Sequence, residues 1–349
     1  MDRPQEEPST FGLRPSTLDL NAVIIDVHNH YYPPAFIDAL RKGPSVITVE
    51  EDGEGNPVLV SPGDKNFAVR GHRDIAYRER AIAAAGVDMQ VITLTAPGTT
   101  MEAPERSAHH AKLVNDALAQ IKAERPNHFT ALATLPLNNA KASLEEFDRA
   151  ISLGFKGVMV YGNVSGVALH DERYWPLWER ANDAGAIVHI HPNYPAGVEA
   201  MQEYWLMPLV GFMFDTTLAA AALVFSGVVQ RNPRIRWILG HLGGAIPYLA
   251  ERLDRGFEAY PENRVHIDRL PSEYLKKFFY DTVNFDPKAL RLAVDFAGPS
   301  QLLAGSDYPH LISSMAKMRE SIAAIGLDPA DTARVLGGNA QQLYGIGTA

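Results

Sequence analysis

Ala22-Val-Ile-Ile-Asp-Val-His-Asn-His30 is a short apolar run that ends in two histidines one residue apart. In a strand, residues i and i+2 point to the same face, so His28 and His30 leave the strand end side by side. Two imidazole nitrogens aimed at one point make half of a metal site. A pair of exposed turn histidines is the other reading of the motif, and the rest of the chain has to decide between them.

Further short apolar runs follow the first, Val23–Val27. They are Met89–Leu94, Phe129–Ala133, Gly157–Val160, Ile187–Ile190, Ile235–Leu239, Phe279–Thr282 and Leu302–Ala304. Each has the length and continuity of a parallel strand buried on both faces. Helical patterns lie between them at Asp74–Ala85, Pro104–Glu124, Leu144–Leu153, Tyr174–Ala184, Thr216–Gln230, Ala245–Tyr260 and Pro287–Phe296. Ser143-Leu-Glu-Glu146 has the capping-box spacing of a helix start. This alternation predicts an α/β fold, a (β/α)8 TIM barrel. A doubly wound open sheet is the competitor, but no strand is followed by a Gly-rich phosphate loop.

The connection from Leu40 to Arg73 breaks the rhythm. Val46-Ile-Thr-Val-Glu50, a Gly-rich turn at 51–56 and Val58-Leu-Val60 predict a β-hairpin insertion, about residues 41–73, lying over the site as a flap. Asp328–Tyr344 reads as two short closing helices. Residues 1–20 read as a flexible N-terminal extension, and residues 21–349 as one barrel domain.

Composition narrows the function. The 349 residues carry a formal net charge of −9, and no run of Lys or Arg could displace counterions from a duplex, so nucleic acid is not an expected partner. With no cysteine, any metal must be held by His and carboxylate. The polar, acidic start Met1-Asp-Arg-Pro lacks a signal-peptide core, and a cytoplasmic protein is expected. Leu209–Val229 is long and apolar, yet Asp215 would cost about 2.5–3.5 kcal/mol in a bilayer. Asp215-Thr-Thr217 also reads as a helix start, leaving too few apolar positions for a span. No membrane partner is expected, and this helix is read as buried, with a subunit interface as one way of burying it.

The unusual polar residues fall at one end of this map. His28 and His30 end the first strand, His191 the fifth and His241 the sixth, and Asp307 follows the eighth. That is the carboxyl end, where barrel enzymes place their chemistry. The joint pattern favours a metal site over scattered turn histidines. His189 shares the face of His191 but lies deeper, as a hydrogen-bonded core or supporting histidine. His310 either lines the pocket or ends a loop, and Asp281 is either pocket-lining or structural. His72, His109, His110, His128, His170 and His266 read as surface residues, and Gly243 and Gly244 as allowing close backbone packing behind His241.

With those residues in view, the chain resembles the amidohydrolase superfamily. Gly240-His-Leu-Gly-Gly-Ala-Ile-Pro-Tyr248, Gly305-Ser-Asp-Tyr-Pro309 and Trp205-Leu-Met-Pro-Leu-Val-Gly211 are similar to its mononuclear decarboxylase branch. That branch contains α-amino-β-carboxymuconate-semialdehyde, γ-resorcylate and 5-carboxyvanillate decarboxylases. The resemblance implies one divalent ion held by His28, His30, His191 and Asp307, Zn²⁺ first and Mn²⁺ as the alternative. Binuclear members carry a bridging Lys at the end of strand four, whereas Lys156 lies at the wrong end of that strand. The resemblance also implies that Arg252 grips a substrate carboxylate in a neighbouring subunit, making the active unit a homodimer or higher oligomer; a solvated helix arginine is the other reading. Arg70 is the nearest match to a second substrate arginine.

The expected reaction is non-oxidative decarboxylation of a small hydroxylated aromatic or muconate-type carboxylic acid. The metal would chelate the substrate, while His241 and Asp307 handle the proton, His241 with a pKa near neutrality. The same parts could run a hydrolase or hydratase through a metal-activated water.

Overall fold

The computed structural model describes residues 22–62 and 64–347, so the expected extension at residues 1–20 lies outside the described residues. The strands in chain order are β1 (Ile25–His30), β2 (Thr48–Glu51), β3 (Pro57–Ser61), β4 (Asp64–Phe67), β5 (Met89–Thr93), β6 (Phe129–Ala131) and β7 (Ala133–Thr134). They continue as β8 (Gly157–Tyr161), β9 (Asn163–Val164), β10 (Val167–Ala168), β11 (Ile187–His191), β12 (Arg236–Leu239), β13 (Phe279–Asp281) and β14 (Leu302–Leu303). Two parallel sheets run β1-β5-β6 and β7-β8-β11-β12-β13-β14, and only Leu132 separates β6 from β7. Strands paired in chain order and alternating with helices are a mixed α/β arrangement that fits a TIM barrel. Past β14, Val27 N donates to Ala304 O and His30 N to Tyr308 O, both at 2.8 Å.

The apolar side chains sort into two cores. Ile25, Val27, Met89, Val91, Leu132, Met159, Tyr161, Ile187, Ile238 and Leu303 form a cluster among the strands. Ala340, Leu343 and Tyr344 join it from the C-terminal helix Asn339–Tyr344. The larger cluster lies between strands and helices, with Trp178 fully buried against Trp237. This split is the reason the strands read as near-continuous apolar runs: both faces are covered.

Several expected boundaries moved. The helix expected at Leu144 is Ala140–Ser152, because Asn139 caps it one turn earlier by accepting from Ala142 N. Ser143 and Glu146 are therefore inside the helix, where Glu146 accepts from Asn115 Nδ2 at 2.6 Å. Asp215 does not start its helix either. A π-helical turn, Met207–Gly211, runs straight into Phe212–Phe225, and Asp215 instead accepts from Asn193 N at 2.8 Å and Asn163 Nδ2 at 2.9 Å. Met207–Phe225 is long and apolar enough by length and composition to cross a membrane, with 44% of it buried in the fold. Between residues 41 and 73 stands an antiparallel sheet of order β2-β3-β4. Its third strand, Asp64-Lys-Asn-Phe67, has one apolar residue and no strand signal of its own. Helices Pro34–Arg41, Pro271–Leu275 and Met315–Ala324 were not anticipated.

Gly243 and Gly244 make the close approach expected behind His241. Both have positive φ, +74° and +60°. A Cβ on Gly243 would sit 2.6 Å from the Tyr280 ring, and one on Gly244 2.1 Å from Met213 O. Gly244→Ala combines left-handed strain with a backbone clash and should lower stability by about 2–4 kcal/mol. The measurement is the shift in the urea unfolding midpoint at unchanged m value.

Candidate metal centre

The five polar residues picked at strand ends meet at one mouth of the parallel strands. One nitrogen or oxygen from each of His28, His191, His241 and Asp307 lies within 4.8 Å of all the others, and all four residues are buried. His30 joins them: its Nε2 is 3.1 Å from Asp307 Oδ1, and His28 Nε2 is 3.4 Å from the same oxygen. The His30 and His191 ring centroids are 4.8 Å apart. His241 Nε2 stands 4.0 Å from Asp307 Oδ2, on the other carboxylate oxygen.

Local backbone geometry aims these groups. The pairing of β1 with β5 slips between Asp26 and Asn29. Bulges of this kind re-aim side chains beside active sites. Here the slip lets Ile25 and Val27 join the interior cluster while His28 and His30 turn to the site. Asp307 and His241 both have positive φ, +60° and +52°. Such conformations cost about 1–3 kcal/mol each and persist where surrounding contacts over-determine them.

The far nitrogen of each imidazole expected to bind metal is engaged. His28 Nδ1 meets Asp281 Oδ2 at 2.5 Å, His30 Nδ1 donates to Thr93 Oγ1 at 3.2 Å, and His191 Nδ1 donates to Pro192 O at 2.7 Å. These bonds leave each Nε2 free to face the centre. His28 Nε2 is buried with no hydrogen-bond partner. A buried polar atom without a partner costs about 1–3 kcal/mol, and a cation on that lone pair would remove the cost.

Charge is balanced inside this cluster. Burial alone would raise the Asp281 carboxyl, but His28 and then His189 outweigh it and hold it well below the usual carboxylate range. Asp281 also accepts from the backbone N–H groups of His241, Leu242 and Val283. It is thus the structural support of the site, which settles its two readings. Burial likewise opposes ionisation of Asp307, and His28 and His30 overcome it. For His28, burial depresses the imidazole, but Asp281 and Asp307 together lift it to about 10. His241 goes the other way: burial, then repulsion from His28, pushes it down to about 4. The near-neutral imidazole expected from sequence is therefore a neutral base here, because the ring is buried next to a cationic neighbour.

The remaining expectations divide. His310 lines the cavity, with its ring 5.0 Å from His30. His189 is buried 3.8 Å from Asp281 Oδ2 with no hydrogen bond on either nitrogen, so it is a core histidine but not a hydrogen-bonded one. His72 and His110 are buried rather than superficial, since the helical turn Arg70–Arg73 and the helix Pro104–Glu124 pack inward there. Arg252 is exposed on the helix Ile246–Ala259 and does not line the cavity of its own chain. Arg70 pairs with Asp74 at 3.0 Å and covers the Tyr77 ring, away from the cavity. Lys156 is exposed at the start of β8, and the buried Tyr161 ends that strand. A cavity of about 330 Å³ opens over His191, His241 and Asp307. Asp64–Phe67 of the small sheet wall one side, and Trp205, Leu209 and Phe212 wall another.

A protein-family profile described as amidohydrolase matches residues 25–346. The 2-amino-3-carboxymuconate-6-semialdehyde decarboxylase of Dictyostelium discoideum is 33% identical over 265 residues, covering 74% of this chain and 73% of that one. The γ-resorcylate decarboxylase of Polaromonas sp. is 29% identical over 287 residues, 76% of this chain and 86% of its own. The crystal structure of 5-carboxyvanillate decarboxylase from Sphingomonas paucimobilis matches with a TM-score of 0.82 at 25% identity, covering 93% and 99% of the two chains.

The His28–Asp281 pair sets a pH dependence in metal-free protein. A histidine raised from 6.5 to about 10 on folding gives stability that is fully present below pH 6.5. That contribution is lost as pH rises through about 10. Thermal melts of metal-free protein should show Tm falling across this window. Asp281→Asn should start lower and flatten the dependence.

Proposed function

Because the chain belongs to the amidohydrolase family, we propose that it is a metal-dependent, non-oxidative decarboxylase of a small hydroxylated aromatic or muconate-type carboxylic acid. The observation that carries this reading is the buried cluster in which His28, His191, His241 and Asp307 each offer a ligand atom within 4.8 Å of the others. In it His30 Nε2 stands 3.1 Å from Asp307 Oδ1 and His28 Nε2 is unpartnered, beneath a cavity lined by His191, His241 and Asp307. The relatives named above are decarboxylases, which favours loss of a carboxylate over the hydrolase or hydratase alternative. Three imidazoles and one carboxylate suit a single divalent ion, Zn²⁺ before Mn²⁺. Such an ion would supply Lewis-acid chemistry, orienting the substrate carboxylate and its neighbouring hydroxyl and spreading the charge that develops as CO₂ leaves.

The side chains then divide the labour. His28, His30 and His191 hold position through the bonds on their far nitrogens. Asp307 contributes one oxygen toward His28 and His30 and turns the other toward His241. His241, held neutral, accepts a proton from the bound acid and returns it to the carbon that loses the carboxylate. Trp205, Leu209 and Phe212 pack against the ring of the substrate and keep water off that carbon.

The same reading extends to the frame. We read the parallel strands as a closed (β/α)8 barrel, a reading supported by the bonds from Val27 and His30 to the segment after β14. Residues 41–73 are then an insertion that walls the pocket. We also propose a homodimer through the exposed face of Phe214 and Leu218 with Tyr248 and Arg252. In that dimer Arg252 would reach a substrate carboxylate in the partner's cavity.

After dialysis against a chelator and reloading, the protein should hold about one ion per chain and release CO₂ from an ortho-hydroxybenzoate panel but nothing from ester or amide panels. His191→Ala should lose both ion and turnover. His241→Ala should keep the ion and lose about 10²- to 10⁴-fold in kcat; full activity in that variant would remove its proton role. Sedimentation should find a dimer that Leu218→Lys converts to monomer.

A further inference from the structure

Arg78 is fully buried on the helix Ile75–Ala84, and the buried Asp26 acts on it through space rather than by a hydrogen bond. A buried charge without a contacting counter-ion needs several well-placed acceptors. Its guanidinium finds four. Nε donates to Gly71 O at 3.0 Å and Nη1 to Asn29 Oδ1 at 3.1 Å. Nη2 donates to His30 O at 2.5 Å and to Tyr308 O at 3.3 Å. The Tyr308 ring lies 5.0 Å from the guanidinium carbon and the Tyr31 ring 5.7 Å.

Three of those four acceptors belong to residues that are, or adjoin, His30 and Asp307. The seam they span joins the end of β1 to the segment after β14. β14 is two residues long, and beyond it the Asp307 segment is tied to β1 by the Asn29–Tyr308 bridge and by Ser306 on Asp26. Backbone bonds from Val27 N to Ala304 O, His30 N to Tyr308 O and Asp307 N to His28 O tie it further. Asp307 also sits in the left-handed region at φ +60°, a conformation that persists only where surrounding contacts hold it, and Arg78 adds a side-chain contact to the backbone ones. One nitrogen of Arg78 takes the carbonyls on both sides of the seam together.

We propose that Arg78 is a positioning residue that clamps His30 against Asp307 and so sets the geometry of the metal centre. The inference rests on the metal reading above. A planar fork with five N–H donors can serve acceptors on four sides, which an ammonium with three donors on one atom cannot. Lysine at this position keeps the charge and loses the clamp.

The test titrates Co²⁺ into metal-free wild type, Arg78→Lys and a control, Leu118→Ala, which removes fully buried packing on the helix Pro104–Glu124. The readouts are the dissociation constant, the visible cobalt spectrum and the split of kcat from KM. Arg78→Lys should bind cobalt at least 10-fold more weakly, change the cobalt band and lower kcat with KM within about threefold. Leu118→Ala should lose Tm without moving affinity or spectrum. Affinity and spectrum of Arg78→Lys within twofold of wild type overturn the proposal. So does an equal loss of affinity in Leu118→Ala, which would make the effect one of general stability. If circular dichroism shows Arg78→Lys unfolded, Tyr308→Leu decides, since it strips the aromatic face from the guanidinium. Weaker cobalt binding then supports the clamp and unchanged binding overturns it. Wild type that takes up no cobalt removes the metal reading and this inference together, whereas uptake unaltered by the Arg78 change removes only the inference.

Discussion

Two carboxylates are buried within reach of one imidazole, and the cost of that burial organises the site. Asp281 and Asp307 are both almost wholly withdrawn from water, and His28, which stands between them, helps hold each ionised, with His189 at Asp281 and His30 at Asp307. Their surroundings differ in kind. Asp281 receives three backbone N–H groups as well as His28 Nδ1, so its lone pairs are spoken for. Asp307 faces imidazoles alone. A carboxylate saturated by fixed donors is a support, and one facing several lone-pair-bearing rings is half of a cation site. The same reasoning explains how β13 contributes no ligand and is still indispensable: its Asp281 holds the His28 ring and the backbone of the His241 turn at once.

That division of roles depends on the chain delivering every polar group to one end. The interior cluster of Ile25, Val27, Met159 and Ile187 fills the space between the strands, and Leu343 and Tyr344 close it from the opposite end. Polar side chains inside would have to find partners in that packing, so they collect where the strands stop. β11 shows the gradient along one face: Ile187 in the apolar cluster, His189 beneath Asp281, His191 at the centre. The slip in β1 does the corresponding work for His28 and His30.

Much of this was legible in the residues. Period-two spacing placed His28 beside His30, and the recurrence of short apolar runs gave the order of the parallel strands, because doubly buried strands leave a strong local signal. Failures came where long-range contacts decide. Asp215 looks like an N-cap, yet its partners are Asn163 and Asn193, which local sequence does not connect to it. His72 looks superficial because a four-residue helical turn does not show which face packs inward. His110, in contrast, shares the inward face of Val114, Leu118 and Ile121 on a 21-residue helix, a signal the spacing did carry. Asp281 and Arg78 sit in ordinary strand and helix patterns, and their importance comes from atoms far away along the chain. The value near 4 for His241 needed the position of His28, since burial and like charge act through space.

The cavity joins a polar floor to one largely apolar wall, Trp205, Leu209 and Phe212, and a polar one at Asp64–Asn66, and that contrast bears on the chemistry. A substrate carboxylate would be drawn to the cation that His28, His30, His191 and Asp307 would hold, while Phe212, Trp205 and Leu209 offer its ring dispersion. Carboxylate loss converts a charged group into neutral CO₂ and moves electron density onto carbon. The apolar wall opposes neither change, and the buried floor strengthens the fixed charges that guide them. Between two reactions that the same four ligands could serve, the relatives, each a decarboxylase, weigh on the side of carboxylate loss, and the apolar wall is compatible with it.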